Sequence, residues 1–331
     1  MNELGFVGRE DELARLKVFL EKALTGAGQI VFISGDAGSG KTALMRQFAI
    51  AAERAHASLV VAVGNCNAQT GVGDPYLPFR EVLTLLTTGD VEGRLSQGSI
   101  TPENADRLRK LVSRSVQVLV EVGPDLVEVL VPGAKLLAAV GKAVAEKVGW
   151  MDNLERLARR KPDQPGSTFE QSRLFEQYTN VLKALAIEQP LLIVVDDLHW
   201  ADAGSVGLLF HLARRVERSR IMLVGTYRPY EVALGRDGVR HPLEPVLHEL
   251  QRYQGDITID LEETVRKEGR SFAEALLDTQ PNQLSPQFRE ALYRHTGGHP
   301  LFTVELLYAL SERGDLVRKG RGRGRADEQV D

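Results

Sequence analysis

The sequence predicts an α/β protein organised around a parallel sheet, and three observations carry that prediction. Residues 29–63 read as strand, glycine-rich turn, helix and strand, an order that pairs two strands in parallel through a right-handed crossover. Leu191-Leu-Ile-Val-Val195 is an unbroken apolar run, as expected of a strand covered on both faces. Two more strand candidates follow, at 221–224 and 257–261, the first of them reached through a helix at 204–217.

Taken in order, residues 10–24 place Leu13, Leu16, Leu20 and Leu24 on one helical face. Gln29-Ile-Val-Phe-Ile-Ser34 is a buried strand entering the glycine-rich turn at 35–40. The next helix carries Leu44, Phe48, Ala51 and Ala55 inward, and Ser58-Leu-Val-Val-Ala-Val63 is the second strand. From 66 to 190 the pattern changes to helices, at 78–87, 102–122, 134–148, 150–161 and 169–187, broken by Gly123-Pro124, Pro132-Gly133 and the loop 161–167. Thr101-Pro102 is a helix start, with Thr as cap and Pro at the first helical position. Beyond 262 the chain reads as entirely helical: Ser285-Pro286 opens one helix, Gly297-Gly298 ends it, and Pro300 opens another running to Gly314. The division predicted is an α/β domain at 1–261 (with 66–190 as a mainly helical insertion), a helical segment at 262–314 and a flexible basic tail at 315–331.

With 331 residues, 43% hydrophobic and 26% charged, the chain has the composition of a soluble globular protein. Its 41 Lys+Arg against 45 Asp+Glu leave a charge of −4, which argues against wholesale electrostatic affinity for nucleic acid or anionic membrane but leaves local patches open. Cys66 is the only cysteine, which excludes an internal disulfide framework or a cysteine-rich metal site; it reads as an inert, partly buried thiol. The N-terminus shows no secretory pattern. The greasiest stretch, 116–148, is interrupted by Glu121, Asp125, Glu128, Lys135, Lys142 and Glu146, whereas a membrane span needs roughly 20 mostly apolar residues. A cytoplasmic protein with no membrane partner is the expectation.

Two motifs carry chemistry. Gly35, Asp36, Ala37, Gly38, Ser39, Gly40, Lys41 and Thr42 fit G-x-x-x-x-G-K-[ST] between a predicted strand and a predicted helix. Such glycines let backbone N–H groups turn around phosphates, and the following helix aims its positive end at them. Lys41 is placed to reach the β- and γ-phosphates, and the Thr42 hydroxyl to ligate Mg²⁺. Val194-Val-Asp-Asp197 ends the third strand with two acids at the carboxyl edge of a parallel sheet, where ligands bind. Asp196 is the second candidate Mg²⁺ ligand; Asp197 is the candidate to orient or deprotonate an attacking water, against the alternative of an Asp-rich turn.

Together these residues resemble the P-loop ATPases of the AAA-like and STAND (signal-transduction ATPase) groups. Phe6-Val-Gly-Arg-Glu10 is similar to the opening of that family, and Asp196-Asp-Leu-His-Trp-Ala-Asp202 to its extended Walker B segment. Gly225-Thr-Tyr-Arg-Pro229 resembles its sensor segment, Gly297-Gly-His-Pro-Leu-Phe302 the GxP motif of its lid, and Pro75-Tyr-Leu-Pro-Phe79 another recurring feature. The likeness spans about residues 5–315. It implies a three-layer αβα sandwich on a five-stranded parallel sheet of order 5-1-4-3-2, with a C-terminal helical lid over ATP or ADP.

Carried over by residue, the resemblance implies that the turn holding Val7 and Arg9 lies near the adenine, with Arg9 either capping that turn or solvating the first helix. It implies that Arg228 senses the γ-phosphate, against the alternative of a surface arginine. Pro300 would abut the base as well as start its helix. Trp200 reads as packing beneath the Walker B loop. Asp202 is either a helix cap or a catalytic acid, and His199 faces the nucleotide or a partner. Arg214, Arg215, Arg218 and Arg220 read as a solvated face rather than arginine fingers. The arginines of the tail alternate with glycine and read as mobile, with nucleic-acid contact not favoured.

The leading expectation is an ATP/Mg²⁺-binding regulatory ATPase, slow in turnover, the core of a signalling or transcription-regulating protein that acts through a protein partner or self-association. Its rivals are a DNA-acting ATPase of the origin-recognition type and a nucleotide-binding scaffold without hydrolysis. The family pattern normally continues into a winged helix, of which Asp315-Leu-Val317 reads as the start.

Overall fold

The computed structural model describes residues 6–67, 75–96, 100–127, 129–141, 151–158, 168–235, 239–279, 282–319 and 322–325. The chain runs α1 (Glu10–Leu24), β1 (Gln29–Ser34), α2 (Lys41–Ala55) and β2 (Val60–Asn65). Six helices follow: α3 (Leu77–Thr88), α4 (Glu92–Ser96), α5 (Pro102–Val122), α6 (Gly133–Gly141), α7 (Met151–Ala158) and α8 (Thr168–Glu188). Then come β3 (Leu191–Asp196), α9 (Ala203–Ala213), β4 (Ile221–Tyr227), α10 (Pro229–Leu234), α11 (Leu243–Gln254) and β5 (Thr258–Asp260). The chain closes with α12 (Leu261–Asp278), α13 (Pro286–Thr296), α14 (Pro300–Glu312), β6 (Leu316–Lys319) and β7 (Gly322–Arg325).

The main sheet has the order β2-β3-β4-β1-β5. Read from the other edge this is 5-1-4-3-2, the order the resemblance implies, and the fold is an α/β protein on a five-stranded parallel sheet. The unbroken apolar runs are the reason the strands sit inside. Residues 191–195 of β3 and all of β4 are buried, and their register pairs Leu191 with Ile221 on one side and with Val60 on the other. A parallel strand covered on both faces carries no polar alternation.

The chain divides into two compact units. One comprises Arg15–Phe32 and Phe48–Thr258; the other comprises Met1–Ala14, Ile33–Gln47 and Ile259–Asp331. In the first, α3, α5 and α8 build the helical insertion around β2. Phe79 and Tyr178 are fully buried edge to face, with ring centroids 5.6 Å apart, and the Tyr178 hydroxyl donates to the Phe79 carbonyl at 2.9 Å. α5 begins as its sequence predicts: the Thr101 side chain accepts the Asn104 N–H. Asn104 then does something the sequence did not announce. It is fully buried, and its amide accepts the Val61 N–H at 3.0 Å and donates to the Val61 carbonyl at 2.9 Å, closing the free edge of β2. Asn104→Ala is therefore expected to cost about 2–4 kcal/mol, because two buried backbone groups lose their partners together. A urea midpoint unchanged from wild type would refute this.

In the second unit α12, α13 and α14 pack through Leu276, Leu277, Leu292 and Leu307, with Val7 and Phe272 against them. Gly298 ends the turn before α14 at φ +73°, and a Cβ there would lie 2.1 Å from the Gly269 carbonyl oxygen of α12. Only glycine allows that approach.

Three expectations are corrected. The chain beyond 262 is not entirely helical, and the stretch expected to be a flexible tail contains an antiparallel pair, β6 with β7, in register Leu316↔Arg325 to Lys319↔Gly322. Alternating glycine is depleted in strands, so composition argued against pairing there. β5 is also shorter than predicted, since Asp260 caps α12 by accepting the Glu262 N–H and so stops the strand. The predicted helical segments at 142–148 and 159–161, the loop 161–167 and residues 320, 321 and 326–331 of the tail lie outside the described residues.

Candidate functional site

The candidate residues fall in two groups, one in each unit. The first is built on the turn from β1 into α2. Gly38 and Gly40 adopt φ of +79° and +95°, the left-handed conformations that rotate the intervening amides into a cradle. Ser39 is fully buried, and its hydroxyl has no hydrogen-bond partner among the described residues. Lys41 is only 6% exposed, and its ammonium donates to the carbonyls of Gly35 and Asp36, each at 2.8 Å. The charge therefore curls into its own loop, stabilised by two carbonyl dipoles. Thr42 is exposed in the first turn of α2, as are Asp36 and Ala37 in the loop.

Three other segments hold this loop. Arg9 is buried, pairs with Glu12 at 2.9 Å and donates to the Ser39 carbonyl at 3.0 Å. The alternative that it merely solvates the first helix is thereby removed. The Asp36 N–H donates to Glu262 Oε1 at 3.0 Å in the first turn of α12. At α14, Pro300 is the first helical residue, and the next amide, Leu301 N–H, donates to the Gly38 carbonyl at 3.3 Å. A Cβ on Gly38 would sit 2.5 Å from that of Leu301, so glycine is required there by close approach as well as by φ. Val7 packs on the α12–α14 core.

The second group lies at the carboxyl ends of β3 and β4. Asp196 is the last residue of β3. Asp197 follows in the left-handed region (φ 57°, ψ 45°), a sparsely populated conformation for a residue other than glycine and one tolerated best by Asn and Asp. What holds it there is Thr226 of β4. The Thr226 hydroxyl accepts the Asp197 N–H at 2.9 Å and donates to Asp196 Oδ1. The Gly225–Pro229 segment is visible in the sequence, but the role of Thr226 is not; its available signal is a hydroxyl in a fully buried strand. Arg228 is half-buried rather than a surface residue, and donates to Glu231 Oε1 at 2.6 Å.

Asp202 proves to be a cap: its side chain accepts the Ser205 N–H at 2.9 Å and bonds the Ser205 hydroxyl, and it also accepts the Tyr76 N–H at 3.3 Å. His199 is buried and faces Asp197 and Glu231. Trp200 packs against the main core. Arg214, Arg215 and Arg218 are exposed, while Arg220 donates to the carbonyls of Ala186 and Ile187 at the end of α8. Burial, followed by the carboxylates of Asp202, Asp197, Asp196 and Glu81, pushes the Cys66 thiol far above the ordinary range, so it stays protonated and unreactive. Among the described residues no helix is long and apolar enough to cross a membrane, and no group of three His, Cys, Asp or Glu side chains could hold a metal.

A family model described as AAA ATPase domain matches residues 5–224. Uncharacterized protein R02095 of Rhizobium meliloti (strain 1021) is 24% identical over 306 residues, covering 92% of this chain and 25% of the relative. The chain thus spans about a quarter of the length of the curated relative it matches. Among solved structures, a chain from "Structure of Drosophila ORC bound to DNA" aligns with a TM-score of 0.30 and 15% identity, over 92% of this chain and 55% of that one. With a phosphate-loop motif in place between β1 and α2 and a family match over well more than half its length, this chain belongs to the AAA ATPase domain family of nucleotide-binding P-loop proteins.

Proposed function

We propose that the chain is an ATP- and Mg²⁺-binding regulatory ATPase of the signal-transduction type, slow in turnover, whose nucleotide state sets the arrangement of α12–α14. One observation carries this reading: the phosphate loop is hydrogen-bonded to Glu262 of α12 and Leu301 of α14. Any rearrangement of residues 36–38 around a polyphosphate is then felt directly by both helices. That coupling is what a nucleotide-dependent switch requires.

The residues fit the ligand. The left-handed glycines, the buried Ser39 hydroxyl and the buried Lys41 ammonium are donors suited to phosphate oxygens. Thr42 and Asp196 offer hard oxygen donors, the chemistry Mg²⁺ takes. Bound Mg²⁺ supplies neutralisation of the charge on the phosphates. Lys41 exchanges its two loop carbonyls for phosphate oxygens, while Asp197, fixed by Thr226, orients the attacking water or takes its proton. Arg228 offers a guanidinium fork to the terminal phosphate. Val7, Arg9 and Pro300 flank the base. We place the protein in the cytoplasm, acting through a protein partner or a second copy of itself.

Two measurements test this. The wild type should release phosphate from ATP, and the amides of α12 and α14 should exchange hydrogen at different rates with ATPγS and with ADP. Identical exchange in the two states would reject the switch, and binding without phosphate release would leave a scaffold.

A further inference from the structure

Two ionisable side chains, His199 and Glu231, lie in succession between Asp197 and Arg228. Arg228 Nη1 donates to Glu231 Oε1 at 2.6 Å. The other oxygen of Glu231 lies 3.7 Å from His199 Nε2, and His199 Nδ1 lies 3.8 Å from Asp197 Oδ1. The His199 side chain is 0% exposed, while those of Asp197, Glu231 and Arg228 are each about one-third exposed. His199 is also held from behind. His241 Nδ1 accepts the Leu243 N–H at 3.1 Å, so its Nε2 carries the proton and donates to the His199 carbonyl at 3.1 Å.

Glu231 stands in the first turn of α10, three residues after Arg228, which is that helix's N-cap. One edge of the guanidinium is thus clamped. Its Nε, by contrast, is buried without a hydrogen-bond partner among the described residues. A buried donor left open beside a clamped one is an arrangement ready for an acceptor the protein itself does not supply. Donors aimed before the acceptor arrives cost no reorganisation when it does.

We propose that Glu231 is a positioning residue of this site: it orients Arg228 toward the terminal phosphate of a bound nucleotide and, through His199, ties that orientation to Asp197. The proposal rests on the ATPase reading above. It differs from a purely structural ion pair in predicting that discrimination between nucleotides depends on Glu231.

The experiment measures the affinities of ATPγS and ADP, then kcat and KM for ATP, in wild type, Glu231→Ala, Glu231→Gln and His199→Gln. In Glu231→Ala the ratio of ATPγS to ADP affinity should fall about tenfold with ADP affinity unchanged, and KM for ATP should rise by a similar factor while kcat falls about tenfold. Glu231→Gln should recover part of both, because its amide oxygen still accepts from Nη1. His199→Gln should move them in the same direction by less. Wild-type values in a folded Glu231→Gln and Glu231→Ala overturn the proposal, as does an equal loss for ADP and ATPγS. If Glu231→Ala does not fold, Glu231→Gln alone decides, with wild-type values the negative result. A wild type that binds neither nucleotide overturns the ATPase reading and this inference with it, whereas normal wild-type binding with unaltered variants overturns the inference alone.

Discussion

Lys41→Ala is expected to weaken ATPγS binding about 100-fold. The estimate follows from what the ammonium gives up and what it gains. It is 6% exposed and bonded to two loop carbonyls, so it is already desolvated before any ligand arrives. Each hydrogen bond from a charged donor contributes about 1.5–3 kcal/mol. At an effective dielectric near 20, one phosphate charge about 4 Å away is worth about 4 kcal/mol, and a polyphosphate presents at least two. The difference favours the ligand by about 2–5 kcal/mol, a range that contains the 100-fold loss. Calorimetric titration with ATPγS measures it. Undiminished binding by the variant would sink the phosphate-loop assignment itself.

The second large effect should come from Asp197→Asn, which is expected to lower kcat by about 100- to 1,000-fold with ATPγS affinity preserved. This substitution is unusually clean for a physical reason. Asp197 occupies the left-handed region, and Asn adopts that conformation as readily as Asp. Its backbone N–H remains available to the Thr226 hydroxyl, so the loop after β3 keeps its shape. What disappears is the negative charge and the basicity of one oxygen. A binding-only role predicts the opposite pattern, affinity changed and turnover intact. Phosphate release at the wild-type rate in this variant would remove Asp197 from the chemistry.

The parts of the protein legible in the sequence share a property: their physical cause lies within a few residues. The β1–turn–α2 segment could be read because Gly38, Gly40 and Lys41 act through their own backbone and the next helix. The runs at 191–195 and 221–224 could be read because burial on both faces leaves no polar residue to hide the period. Thr101 could be named as a cap because capping spans three residues. Asn104 is a polar residue on the inner face of α5, and sequence alone offered no reason to expect its partner at Val61, 43 residues away. Thr226 was concealed in the same way, since its two partners sit on β3. The sequence does not choose between the two roles of Arg9, because burial, which decides the matter, is not a local quantity. The β6–β7 pair is hidden because glycine-spaced arginines have the composition of solvated chain, and only pairing between the two segments makes them strands.

By itself, then, the sequence determined the α/β class, the phosphate loop, the acids that end β3 and the family to which the chain belongs. Each of these is written in short-range pattern, where backbone geometry and side-chain alternation suffice. The tertiary structure alone decided which side chains meet. It set Asp202 as a cap, brought Glu262 and Leu301 to the phosphate loop, and set Glu231 between Arg228 and the buried His199. Those outcomes depend on burial and on which partners satisfy each buried polar group, and both are settled only when distant segments pack.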